Sequence, residues 1–219
     1  MEDIKKLELT VRENIKIAQQ EKEVAKKSKL IGEEELKKSK AREYLVNKEF
    51  SVAKVKREWA EKKLSLLIEK RNLMKKGFFE FSEADIKAEE DYAIYNQKIA
   101  VIQQEMAELN SEIAELETKI AHKKVKLADE KISAAKERTK LAKKQNSYVK
   151  GVKENLPEEK VENLEKIYKD QEEAMEEFRD YIIKKEKEIK ERENQISDLK
   201  KKLAQKFAEQ EKIRRNENY

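Results

Sequence analysis

The chain has 219 residues, of which 52 are Lys or Arg and 47 Asp or Glu, a dense charge mixture with a formal net charge of only +5. Apolar residues make up 37% and aromatic residues 6%, so a thick globular core is excluded and narrow seams between rods are the expected form of burial. Cysteine is absent, which removes disulfides, thiol nucleophiles and thiolate metal sites from consideration.

The first predicted element covers residues 1–76. Its opening stretch, Ile4-Lys5-Lys6-Leu7-Glu8-Leu9-Thr10-Val11, is apolar on one side and basic on part of the other. Ile4, Leu7 and Val11 are therefore candidate contacts with an anionic membrane surface or a partner, with core packing an equal alternative. At Gly32 the order of charge reverses, Lys26, Lys27 and Lys29 before it and Glu33, Glu34 and Glu35 after. A helix break there and one continuous helix tolerating a single Gly both fit that order. Farther on, Leu45, Val52, Trp59, Leu66 and Leu73 are spaced by seven, with Val46, Ala53, Ala60, Leu67 and Met74 running beside them. A stripe this wide implies contact with two neighbours.

A turn is expected over 77–82. Gly77 suits the left-handed position just past a helix end, and Ser82 reads as an N-cap with Asp85 three positions on. Phe81 and Ile86 fall at the staple positions. Phe78, Phe79 and Phe81 crowd this turn, either as an apolar tip for a membrane or partner or as a plug closing the hairpin.

The second helix is expected over 83–150. Ile99, Ile102, Met106, Leu109, Ile113, Leu116 and Ile120 recur at alternating steps of three and four, the a/d seam of a coiled coil. Its expected partner is the Leu45–Leu73 stripe, folded back at Gly77. A second turn follows over 151–157, where Gly151 closes the helix and Pro157 opens the next with Glu158 and Glu159 at the positive helix end. The third helix, 158–219, keeps Val161, Tyr168, Met175, Ile182, Ile189, Ile196 and Leu203 at one heptad position. The companion position is polar at Gln171, Lys185 and Arg192, so the seam is half-strength, and Ile189, Ile196 and Leu203 are expected either to pack as the weaker partner or to await a missing one.

Charge blocks support two antiparallel turns. Residues 41–76 carry 11 basic and 5 acidic side chains, whereas 78–118 carry 2 basic and 11 acidic. Residues 119–153 carry 12 basic and 3 acidic, against 9 basic and 16 acidic in 154–198. Patterning of this kind selects orientation more than it adds stability. The expected fold is all-α: three long helices in antiparallel coiled-coil hairpins, forming one elongated domain with helices of roughly 90–110 Å.

Chemistry is sparse. His122, the single histidine, stands among lysines two positions past Ile120 and reads as a solvated surface residue. No calcium loop, phosphate-cradling Gly-rich loop or serine nucleophile elbow occurs. No enzymatic activity, cofactor or metal is expected. The basic stretches at Lys123-Lys124-Val125-Lys126 and Lys200-Lys201-Lys202 lack interleaved aromatics, so nucleic acid is not an expected partner. No apolar run approaches the ~20 residues that span a bilayer, and the start MEDIKKLELT has no signal-peptide core. A cytoplasmic location, at most peripheral to a membrane, is the expectation.

The segment Glu58-Trp59-Ala60-Glu61-Lys62-Lys63-Leu64-Ser65-Leu66-Leu67-Ile68-Glu69-Lys70-Arg71 resembles the first long helix of the phage-shock-protein A family, and Glu112-Ile113-Ala114-Glu115-Leu116-Glu117-Thr118-Lys119 is similar to that family's returning helix. The family is ESCRT-III-like. The resemblance implies a long hairpin, polymerisation into rods or rings, and binding to anionic membranes, with residues 1–11 as the membrane segment. Three functions therefore follow as expectations. The first is a coiled-coil scaffold that self-assembles or holds protein partners through heptad seams. The second is a membrane-remodelling polymer of ESCRT-III-like or crescent-dimer type. The third is a stalk or lever of a larger machine.

Overall fold

The computed structural model describes residues 2–77 and 82–216. It is all-α, with three helices: α1 Glu2–Lys75, α2 Glu83–Lys153 and α3 Glu158–Asn216. Gly77 adopts φ +81° and its amide donates to the Met74 carbonyl at 2.8 Å, so α1 ends at the left-handed glycine. At the start of α2 the Ser82 carbonyl accepts the Ile86 amide at 3.2 Å, the first bond of the helix. The three phenylalanines of the turn, Phe78, Phe79 and Phe81, lie outside the described residues.

The end of α2 differs from the sequence reading. Gly151 lies inside the last turn, and the left-handed residue is Asn155 (φ 51°). The Leu156 amide donates to the Gly151 carbonyl at 3.0 Å and the Asn155 amide to the Val152 carbonyl at 3.3 Å, the paired bonds of a Schellman ending. Gly151 instead leaves room for two leucines. A Cβ there would meet Leu164 Cδ1 at 3.0 Å and Leu156 Cδ1 at 3.3 Å, the side chains that seal the turn. The Pro157 carbonyl then accepts the Lys160 and Val161 amides, opening α3.

Contacts divide the chain into two compact units, one of residues 1–37 with 119–192 and the other of 38–118 with 193–219. In the first unit, α1 runs antiparallel to α2. Glu8 meets Lys153, Glu21 accepts from Arg138 at 2.7 Å, and Lys29 pairs with Asp129 at 2.8 Å. The helix passes through Gly32 without a break, because the absent side chain admits the neighbouring helix: a Cβ would stand 3.1 Å from Val125 Cγ2 and 3.5 Å from the Val125 amide nitrogen. α3 packs antiparallel on α2 in turn, through Lys123–Glu188, Lys131–Glu186 and a tilted Tyr148–Tyr168 ring contact.

In the second unit, α1 and α2 are again antiparallel, joined by Arg42–Glu117, Ser111 Oγ donating to Asn47 Oδ1 at 2.6 Å, and Arg71 donating to Glu90 at 2.8 Å. α3 reaches α2 through Lys200–Glu117 and Lys206–Glu105.

The face that α2 offers to α1 is built from alanine. Ala93, Ala100, Ala107, Ala114, Ala121, Ala128, Ala135 and Ala142 occupy every seventh position. Ala114 and Ala142 are fully buried. Side chains three and four positions beyond these alanines, among them Gln104, Ser111, Glu117 and Arg138, and Glu90 three positions before the first, are bonded to α1. The alanine stripe therefore lies at the centre of the α1–α2 contact within each unit. On α1 it meets Val11, Ala18, Ala25 and Gly32 in the first unit, and Val46, Ala53 and Leu67 in the second, all buried at the same heptad position. Such small residues let two helix backbones approach closely.

The Ile99–Ile120 seam consequently faces α3. Glu105 and Glu117, bonded to α3 lysines, bracket Met106 and Ile113 on either side. This corrects the expected pairing. α2 is the middle helix: its alanine edge takes α1 and its Ile/Leu/Met edge takes α3.

Candidate interaction surface

With Val46, Ala53 and Leu67 turned inward, the neighbouring stripe of α1, one residue earlier in the chain, turns out. Leu45, Val52, Trp59 and Leu66 are 60%, 54%, 72% and 65% exposed, and Val55 is half-exposed. Together with Ala41, Lys48, Lys62 and Glu69, also exposed, and Leu73, half-buried, they step alternately by four and three, an a/d seam whose residues from 41 to 69 face water in the second unit. Beside it a groove of about 450 Å³ is lined by Leu45, Lys48, Val52, Lys56 and, from α2, Gln103. A contiguous apolar row of this length on one helix is the usual mark of an interaction face.

In the first unit a larger groove of about 810 Å³ separates α1 from α3, with Ile17 and Val24 on one wall, Met175, Ile182 and Ile183 on the other, and Leu141 of α2 as floor. Gln145 lines the same groove, 4% exposed, and its Oε1 has no hydrogen-bond partner among the described residues.

On the other side of α2 in that unit, Lys119, His122, Lys123 and Lys126 face Tyr181, Lys185 and Arg192 of α3. Glu188 is held down to about 2 by hydrogen bonds from Lys123 and Lys185. The Tyr181 hydroxyl donates to Glu130 at 3.1 Å, which pushes its own ionisation up. Burial does the same to Tyr168. His122 is exposed, as the sequence implied. No cluster of His, Cys, Asp or Glu capable of holding a metal ion occurs among the described residues, and no described helix is long and apolar enough to cross a membrane.

The sites expected from the sequence are distributed differently. Val11 is buried in the first unit at 3% exposure, with Ile4 and Leu7 half-buried, so that edge packs against the chain itself. Ile189 and Ile196 are buried and Leu203 is half-buried, so the third-helix seam closes on α2 instead of waiting for an outside helix. The polar companions make this possible: Gln171 bonds Lys144 and Glu137, and Lys185 bonds Glu188. The unpartnered seam is the outer face of α1. Two signals locate it in the sequence: alanine at every seventh position of α2, which identifies the small-residue stripe as the α1 contact, and Val55, which completes the second row beside Leu45 to Leu66.

Comparison with protein families and with curated proteins returns no match for this chain.

Proposed function

We propose that the chain is a non-enzymatic coiled-coil scaffold that takes a further helix onto the outer seam of α1. The observation that supports this is the exposure of Leu45, Val52, Val55, Trp59 and Leu66 at seam spacing, on a helix whose other edge is already packed. A two-edged helix of this kind acts by geometry: one edge fixes it in its own unit and the other displays a linear site for a partner rod. Sedimentation velocity on the wild type and on Leu45→Ser/Leu66→Ser tests it. A wild-type assembly that the double variant loses, with the helical circular dichroism unchanged, is the expected result. Wild type and variant behaving alike at all concentrations and in the presence of cell extract refutes it.

A second reading rests on the resemblance of residues 58–71 to the phage-shock-protein A family and on Trp59 being flanked by Lys48, Lys56, Lys62 and Lys63. An exposed indole rimmed by lysines suits the headgroup region of an anionic bilayer. Co-sedimentation with anionic liposomes and negative-stain microscopy separate the readings: rods, rings or tubulated liposomes belong to the membrane polymer.

A further inference from the structure

The outer seam is self-complementary about one residue. Trp59 lies midway between Val52 and Leu66, and again midway between Leu45 and Leu73. A two-fold axis through Trp59 therefore sets Trp59 against Trp59, Val52 against Leu66, and Leu45 against Leu73 over four heptads, about the length at which a heptad pattern sustains a coiled coil. In the intervening layers the same axis brings Lys48 within one residue of Glu69 and Lys62 within one residue of Val55. Neither Lys48 nor Glu69 has an ion-pair partner among the described residues, and Lys48 only overhangs the Tyr44 ring at 5.5 Å. Each is the missing counter-charge of the other. Lys62 can lay its stem on Val55 and keep its ammonium in water.

Other self-pairings are worse. A parallel, in-register pair stacks Lys48 on Lys48 and Lys62 on Lys62. An antiparallel pair centred between Val52 and Trp59 sets Lys48 against Lys62. Sliding the axis to Val52 leaves Leu66 facing Lys38. The Trp59-centred pair also sets Lys48 level with Lys70 and Lys56 level with Lys62, adverse contacts that are relieved where the ammoniums reach solvent and where Lys70 already pairs with Glu89 at 3.5 Å.

We infer that the occupant of this seam is a second copy of the chain, docked antiparallel through α1 on a two-fold axis at Trp59. The inference rests on the scaffold reading above and specifies its partner, orientation and register. The chain has no cysteine, so single-cysteine variants report the register directly. Under mild oxidation Trp59→Cys is expected to form a disulfide-linked dimer on a non-reducing gel. Val52→Cys alone and Leu66→Cys alone are expected to stay uncrosslinked, and a mixture of the two is expected to crosslink. Because Trp59→Cys removes a large seam residue, wild-type sedimentation is followed alongside: a dimer is expected, weakened by Lys48→Glu at least tenfold and restored by Lys48→Glu/Glu69→Lys.

Crosslinking of every single variant with itself means a parallel pair, which overturns the inference and leaves the scaffold reading standing. A heterotypic complex recovered with a wild-type monomer does the same. A monomer with no crosslinks, whose Trp59 emission shifts to the blue only on anionic vesicles, overturns both.

Discussion

Leu66 and Leu67 are neighbours in sequence and opposites in the structure, and truncating each to Ala tests the phase of α1. Leu67 is 8% exposed, so Leu67→Ala loses nearly a full leucine transfer and leaves a hole beside the alanine stripe, a cost of about 2–4 kcal/mol. Leu66 is 65% exposed. Only about a third of its area is out of water, so Leu66→Ala costs at most ~0.5–1 kcal/mol, part of which the better helix propensity of Ala offsets. For a chain of this size each kcal/mol moves the melting temperature by roughly 2–4 °C, so Leu67→Ala is expected to melt about 4–16 °C below wild type and Leu66→Ala within a few degrees of it. The assay is circular dichroism at 222 nm, run at the lowest workable concentration so that seam-to-seam association does not contribute. Equal losses for the two variants under conditions where the chain sediments as a monomer refute the inward placement of the Val46–Leu67 row. A Leu66→Ala loss that grows with concentration instead reports the paired seam.

Three further outcomes are expected. Ala114→Leu forces three extra carbons into a fully buried position between α1 and α2, and denaturant titration is expected to show a loss of about 1–3 kcal/mol. Asn155 holds φ 51° at the end of α2, so Asn155→Gly is expected within about 0.5 kcal/mol of wild type, and Asn155→Val about 1–2 kcal/mol less stable by the same titration. Glu188 has its carboxyl lowered from the ordinary 4.5 to about 2 by Lys123 and Lys185. Its contribution to stability is complete above about 4.5 and is lost as pH falls from there through about 2, since the unfolded chain takes up the proton first. Carboxyl NMR is expected to place its midpoint near 2, and Glu188→Gln is expected to flatten the pH dependence of stability across that window.

Much of the fold was legible in the residues. Helix ends announce themselves chemically, and Gly77, Ser82 and Pro157 sit at theirs; the opposed charge blocks give the antiparallel direction that Arg42–Glu117 and Lys123–Glu188 display. The phase of α1 was not legible by hydrophobicity, because the row with the larger side chains, Leu45 to Leu66, is the one left outside. The buried row is the one that carries Val46, Ala53 and Leu67 and packs on the alanine stripe. The candidate site was misplaced for the same reason. Assigning Leu45–Leu66 to α2 left α3 as the helix lacking a partner, whereas its polar positions Gln171 and Lys185 are satisfied locally. Gly151 was misread because its role is to admit Leu164, which is distant in the pattern of local turn signals.

The alanine edge of α2 also has a consequence for how precisely the first unit is aligned. Its teeth are identical, so moving α1 by one heptad, about 10 Å, would still put Ala18 and Ala25 against alanines, and hydrophobic burial alone barely distinguishes the two settings. What distinguishes them is a notch and a few pegs: Gly32 fits only where Val125 comes closest, and Glu21 and Lys29 reach Arg138 and Asp129 only in the present setting. Alignment between these two rods is thus stored in a handful of surface charges and one missing methyl group, and neutralising them would turn a keyed joint into a sliding one.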